Sequence, residues 1–336
     1  MGTGIVRYLF GASLIVALAI SPSRGEGGAD NGGTVFVPEI RPDILAGYLS
    51  PGALPDSLAL IPPPPAAGSV ALALDEAVSQ NSLALRDTPR GTLAASDADL
   101  AFPHAAGTFS CALQAPITQQ DTPHLYILLR RSLTDFGLST YTAKNYYKRV
   151  RPFVVNLQPI CTPQDATYLM MDGSYPSGHT AIGWGWALIL GEIGPDQTNA
   201  IIARGRAFGE SRVVCNVHWE SDVAEGRFIG AATLARLHAE PAFRADLRAA
   251  EAELAAVRAE GLQPTRDCAA EAGALAFPPP SQLPPVFAGT PGRPNCSGQS
   301  VSALAQQYGG IASAATALGY SSVSDLMNAI ASFCAG

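Results

Sequence analysis

An all-α fold is what this sequence predicts, on three observations. From Val70 to Gly261 apolar residues recur at helical spacing, and no stretch shows the convincing alternation of a half-buried strand. Helix stops and starts punctuate that region: Gly194-Pro195 closes one periodic segment and Glu240-Pro241 separates two others. The 336-residue chain is 47% hydrophobic and 15% charged, enough apolar material for a full-sized core and too little charge for intrinsic disorder.

The elements follow in order. Arg7, an apolar stretch from Tyr8 to Ile20, and then Ser21, Pro22, Ser23, Arg24 and Gly25 make residues 1–25 read as an export leader, too short in its apolar part to span a membrane. Residues 26–68 are rich in Gly and Pro and end in the run Pro62–Pro65, which predicts extended chain on the surface with no regular element. Residues 69–261 form the helical domain. Helices are expected at Ser69–Leu85, Asp97–Phe102, His124–Leu138, Thr140–Val150, His179–Ile193, Gln197–Cys215, Ser221–His238 and Pro241–Glu260. The prolines crowding 262–295 predict a semi-rigid linker. In 296–336, a small and nearly uncharged module, Val301–Leu318 and Val323–Phe333 predict a helical hairpin split at Gly319.

Six cysteines, none in a C-x-x-C pair, fit up to three disulfides in an exported chain rather than a zinc site. Cys296 and Cys334 bracket the module and are expected to pair. The net charge of −7 argues against a nucleic-acid binder, which needs a basic face to displace phosphate counterions. Any anion must be met by a few concentrated cations.

Three segments supply them. In Lys144-Asn-Tyr-Tyr-Lys-Arg-Val-Arg151-Pro152, Lys144 and Arg151 lie seven apart, and Pro152 biases Arg151 out of the helix toward a loop. In Ser177-Gly178-His179, Ser177 is a natural N-cap, the helix start offers free N–H groups to an anion, and His179 in the first turn can donate a proton to it. In Ser211-Arg212-x5-His218-x3-Asp222, a carboxylate on one imidazole nitrogen of His218 leaves the other nitrogen's lone pair available for attack, and Arg212 adds a planar fork suited to phosphate oxygens. Taken singly, each segment also reads as a solvated basic face, a capped helix or a surface ion pair. Together they supply charge stabilisation and positioning, the needs of phosphoryl transfer. No P-loop, magnesium-type carboxylate cluster or metal-spaced histidine pair is present in the sequence, so the chemistry is read as independent of metals and cofactors.

The order Lys-x6-Arg-Pro, Pro-Ser-Gly-His, Ser-Arg-x5-His-x3-Asp resembles the signature of the type 2 phosphatidic acid phosphatase and vanadium haloperoxidase superfamily. The segments Leu60–Pro65, Gly173–Gly185, Gly209–Val223 and Leu237–Phe243 are most similar to the bacterial class A non-specific acid phosphatases. The resemblance covers roughly residues 40–260 and leaves the linker and the module unexplained. It implies a compact multi-helix bundle and a phosphohistidine intermediate. His218 would be the nucleophile, Asp222 its orienting partner and His179 the general acid and later base. Lys144, Arg151, Ser177, Gly178 and Arg212 would hold the phosphate. His104 and His238 are expected to be structural, and Lys148 and Arg149 to be solvated or rim residues.

The expected protein is a periplasmic or secreted acid phosphatase acting on small phosphomonoesters and allowing nucleotide anhydrides. It would need no nucleic acid and no stable membrane insertion, and the sequence leaves room for a homo-oligomer. Rim loops near 102–123 and 156–172 would set substrate choice. The competing readings are a vanadate-dependent haloperoxidase using the same pocket, and a binding or adhesion protein working through the C-terminal module.

Overall fold

The structure, a computed structural model, describes residues 37–41, 43–277, 287–289, 291–318 and 320–335. The export leader and residues 26–36 of the expected extended segment lie outside the described residues. The rest of that segment is not free of regular structure. A short antiparallel hairpin joins β1 (Glu39–Arg41) to β2 (Ile44–Leu45), and a one-turn helix α1 (Ser57–Leu60) follows. Both are held by contacts that local composition does not announce: Thr134 Oγ1 donates to the Leu45 carbonyl, and Thr142 bonds the Ser57 hydroxyl.

The remainder is helical: α2 (Val70–Ser82), α3 (Pro89–Asp97), α4 (Ser110–Leu113), α5 (Pro123–Leu138), α6 (Tyr141–Tyr147), α7 (Pro152–Asn156) and α8 (Ala166–Met171), then α9 (Gly178–Ile193), α10 (Thr198–Val214), α11 (Glu220–Leu237), α12 (Pro241–Ala259) and α13 (Cys268–Leu275). The helix starts follow the sequence rules. Ser69 caps α2 by accepting from Leu72 N, Ser177 caps α9 by accepting from Thr180 N, and Thr88 with Pro89 at the first position opens α3. The N-terminal amides of α5 are satisfied from a distance, because Glu253 on α12 accepts from His124 N and Leu125 N.

Helix α9 is apolar nearly all round, so it takes the centre of the bundle. Helices α5, α10 and α11 pack on it, and α12 closes over α5. Trp186, fully buried on α9, donates its indole N–H to the Leu129 carbonyl of α5. The approach of α11 to α9 depends on small residues. A Cβ at Gly226 would stand 2.6 Å from the Ser177 carbonyl, and one at Gly230 would stand 2.7 Å from that of Ala181. This contact brings the start of α11 against the start of α9.

Three further expectations need correction. The helix expected at Asp97–Phe102 lies earlier, as α3, and ends at Asp97, whose carboxylate is buried against Arg204 rather than starting a helix. The expected linker contains α13, capped by Asp267 and fixed by the Cys111–Cys268 disulfide and the Arg204–Glu271 pair. The C-terminal hairpin is instead three helices, α14 (Cys296–Tyr308), α15 (Ile311–Ala317) and α16 (Val323–Ala335). Gly309 and Gly310, at φ +70° and +137°, break the first predicted segment in two. These helices share a small core of Phe287, Leu304, Ala314, Leu326 and Ile330, closed by the expected Cys296–Cys334 disulfide, and α14 lies against α2.

Candidate active site

His218 does not lie on a helix. It immediately precedes Trp219, the N-cap of α11, and Asp222 occupies the third position of that helix. The Asp222 carboxylate reaches back to accept from Trp219 N at 2.9 Å, half of a capping box, and the same oxygen accepts from His218 Nδ1 at 3.2 Å. The four-residue spacing therefore brings the pair together, but through a helix cap and not along a helix face. On the other side of the ring, Arg151 Nη1 stands 3.0 Å from His218 Nε2. A guanidinium can only donate, so Nε2 is the nitrogen without a proton and Nδ1 carries it. His218 is 2% exposed, and burial together with the charges of Arg151, Lys144 and Arg212 holds it neutral well below the usual histidine range.

Arg151 is fixed on all sides. It is the extended N-cap residue of α7, with Pro152 next, and donates to the carbonyls of Leu169, Asp172 and Val217 and to the Asp172 carboxylate at 2.9 Å. Lys144, on α6, donates to the Gly173 carbonyl at 2.7 Å and sits 3.6 Å from the same carboxylate. The chain turns between them at Lys148, whose φ of +45° ends α6 earlier than the sequence suggested. Arg212, in the last turn of α10, is 2% exposed, and its Nε and Nη1 have no hydrogen-bond partner among the described residues. Burial and the neighbouring Arg151 charge push Arg212 down to about 9, and burial and Arg151 push Lys144 down to about 8. Cations forced together with unused donors select a multiply charged anion, because such a ligand relieves both penalties at once.

The start of α9 faces this cluster. Ser177 accepts from Thr180 N and from Thr180 Oγ1, which leaves its own hydroxyl hydrogen to donate. Nothing in the protein forbids a side chain at Gly178, where a Cβ would find only Thr140 Oγ1 at 3.5 Å; the glycine keeps the first helical N–H open to close approach. His179 Nε2 donates to the Ala98 carbonyl at 3.0 Å, so Nδ1 is the nitrogen free to gain or lose a proton. Burial, Arg212, His218 and Arg151 together lower its pKa well below the usual range.

The eight residues singled out by sequence thus lie around one centre. His104 and His238 lie elsewhere, bonded to Ser96 and Glu192 respectively. Lys148 is exposed as expected, but Arg149 is not a rim residue. Its guanidinium is buried between Asp222 and Asp75, at 2.7 Å from each. Sequence reasoning also missed Asp75, Ser221 and Asp172. The only signal for Arg149 was its place in the basic run, which by itself reads as a solvated face. Another missed network supports Ser211, whose hydroxyl donates to Asp97 and accepts from Arg90. The Asp172 wall is shared with a mostly apolar cavity of about 640 Å³, to which Tyr168 and Met171 of the 156–172 segment and Ile40 and Ile44 contribute. Among the described residues, no group of three or more His, Cys, Asp or Glu is placed to hold a metal ion.

Lys144 gives the site a measurable pH signature. Because its folded pKa is lowered to about 8, its charge is lost as pH rises through that value rather than near 10.5. Competitive inhibition by inorganic phosphate is expected to weaken above pH 8, toward tenfold per pH unit. Lys144→Gln should bind phosphate more weakly at lower pH and lack the break near pH 8, keeping only the later weakening as Arg212 titrates near 9. Inhibition constants measured from pH 6 to 9.5 for both proteins check this.

Residues 124–243 match the PAP2 superfamily model. The chain is 43% identical over 219 residues to a non-specific acid phosphatase of Providencia stuartii, covering 65% of this chain and 88% of that protein. It is 41% identical over 208 residues to the non-specific acid phosphatase of Salmonella typhimurium, covering 62% and 83%. An acid phosphatase of Zymomonas mobilis subsp. mobilis is 40% identical over 209 residues, covering 62% and 79%. With the helical bundle and its cation-lined centre, these similarities establish that the chain belongs to the PAP2 superfamily and is a phosphatase of the class A non-specific acid type.

Proposed function

We propose that this enzyme is exported and hydrolyses phosphomonoesters through a phosphohistidine on His218. The observation that carries the reading is the fixed tautomer of His218: Nδ1–H donates to Asp222, and Nε2 presents its lone pair beside Arg151. In the first step Nε2 attacks phosphorus, the phosphorus–oxygen ester bond breaks, and His179 Nδ1 gives its proton to the departing alkoxide. In the second, the neutral Nδ1 takes a proton from water, the hydroxide attacks phosphorus, and the nitrogen–phosphorus bond breaks to release phosphate. Lys144, Arg151, Arg212, the Ser177 hydroxyl and the Gly178 N–H hold the three equatorial oxygens and carry their developing charge. Asp222 stabilises the imidazolium character that His218 acquires.

Three disulfides, Cys111–Cys268, Cys161–Cys215 and Cys296–Cys334, support an oxidising compartment, the periplasm or the exterior. Among the described residues no helix is long and apolar enough to cross a membrane. The haloperoxidase reading would use the same cations, but the similar curated proteins are phosphatases. A substrate panel with chelator present tests the choice: an aryl phosphate, nucleoside mono- and triphosphates, a sugar phosphate and phytate. Turnover of the monoesters unaffected by chelator, with inhibition by vanadate, is expected. Vanadate-dependent halide oxidation without phosphatase turnover would overturn the reading.

A further inference from the structure

The carboxylate that orients His218 is itself held by groups that never face the phosphate. Arg149 Nη1 donates to Asp222 Oδ1 at 2.7 Å and to Ser221 Oγ at 2.7 Å, while Nη2 donates to Asp75 Oδ2 at 2.7 Å. Ser221 completes a ring of bonds, its backbone N–H reaching Asp75 Oδ1 at 2.8 Å and its hydroxyl reaching Oδ2 at 2.5 Å. Asp75 and Asp222 are buried, and the Arg149 guanidinium lies over the indole of Trp219, 5.3 Å from its centroid. Asp75 comes from α2, Arg149 from the turn between α6 and α7, and Ser221 from the first turn of α11. Two separate parts of the chain, α2 and the start of α11, therefore converge on the one guanidinium that holds this carboxylate. Capping α11 accounts for Asp75 Oδ1 on Ser221 N and for Asp222 on Trp219 N through its other oxygen, but not for the Arg149 guanidinium on Asp222 Oδ1.

We propose that Asp75, Arg149 and Ser221 are positioning residues of the hydrolysis: Arg149 holds the Asp222 carboxylate aimed at His218 Nδ1 so that Nε2 retains its lone pair in acid, and Asp75 and Ser221 hold Arg149 in place and set how much of its charge Asp222 receives. The proposal rests on the phosphohistidine reading above. The charged and titratable groups around Asp222 are Lys144 on α6, Arg149 and Arg151 in the turn beyond it, the His218 ring, Tyr175 before α9, and Asp75 on α2 behind Arg149. Burial already pushes the Asp222 carboxyl above its usual range, and Arg149 is the strongest influence pulling it back. Lys144 and Arg151 are committed to Gly173 and Asp172 on the phosphate side. Without the Arg149 charge, Asp222 takes up a proton at a higher pH. A protonated Asp222 donates to Nδ1, the ring proton moves to Nε2, and the nucleophilic lone pair is lost. Asp75 acts in the opposite sense. It shares the Arg149 charge, so neutralising Asp75 leaves that charge to Asp222 alone.

The two substitutions are therefore expected to move the acid limb of kcat/KM in opposite directions, which a merely structural role would not do. In the full-length enzyme, Arg149→Gln should raise the acid limb by about one pH unit or more and lower the plateau of kcat/KM by about 10- to 100-fold. Arg149→Lys should restore the limb with part of the rate. Asp75→Asn should shift the limb downward at a smaller cost in rate. Circular dichroism establishes that each variant is folded; should Arg149→Gln not fold, Arg149→Lys and Asp75→Asn carry the test. Limbs that stay in place in folded variants overturn the proposal, provided acid quenching of wild type traps labelled phosphate on His218. Absence of label on wild-type His218 overturns the phosphohistidine reading itself, and the relay with it.

Discussion

His218→Ala is expected to lower kcat on an aryl phosphate by about 10⁴-fold or more, the scale of losing a covalent nucleophile. The loss should fall on kcat and leave inhibition by inorganic phosphate largely intact. In the proposed site the anion would be held by Lys144, Arg151, Arg212 and the start of α9, none of which needs the imidazole to stay in place. Arg151 alone has six hydrogen-bond contacts, and five of them are to groups other than His218. Rapid acid quenching with labelled substrate separates the step from the binding. Label should appear on wild-type protein and be absent from the variant. A His218→Ala enzyme that retains turnover would remove the nucleophile from the scheme.

The second large effect is expected at His179. His179→Ala should reduce turnover of an alkyl phosphate by about 10²- to 10⁴-fold, the range for a lost general acid. It should cost much less on 4-nitrophenyl phosphate, whose leaving group departs without a proton, until hydrolysis of the phosphoenzyme becomes limiting. The sign of the pH dependence follows from the surroundings. In the free enzyme, burial and the Arg212 and Arg151 charges keep His179 deprotonated. A phosphate dianion placed among those cations cancels their field and raises the His179 pKa, so the proton is held only when substrate is bound. Below about pH 6 the ester brings that proton with it as a monoanion. The alkaline limb of kcat for an alkyl ester should therefore report His179, and it should vanish in the variant. The same limb in His179→Ala would assign the acid role to another group.

How much of this was legible beforehand differs from residue to residue. Ser177 announces its helix, because a hydroxyl three residues before a backbone amide is a local device whose partner lies in the same turn. Arg151 was legible for a similar reason: Pro152 constrains the residue before it, whatever the rest of the chain does. The burial of Arg149 is not legible in the sequence, because its partners, Asp75 and Asp222, stand more than 70 residues away on either side, and nothing local separates a buried guanidinium from a solvated one. Helix α13 was hidden by the prolines around it, and the Cys111–Cys268 bond that anchors it spans 157 residues. In the C-terminal module the apolar spacing continues through Gly309 and Gly310 and so predicts a hairpin, although those glycines turn the chain.

By itself, then, the sequence determined the helical class of the chain, the boundaries of the long helices α2, α5, α9, α10, α11 and α12, and the residues that gather around the cation-lined centre, because each depends on periodicity, capping or motif spacing within a few turns. The tertiary structure decided which nitrogen of His218 is free, what fixes Asp222, and how closely α11 approaches α9. Those follow from hydrogen bonds and packing between segments far apart along the chain, whose geometry exists only once the helices are assembled.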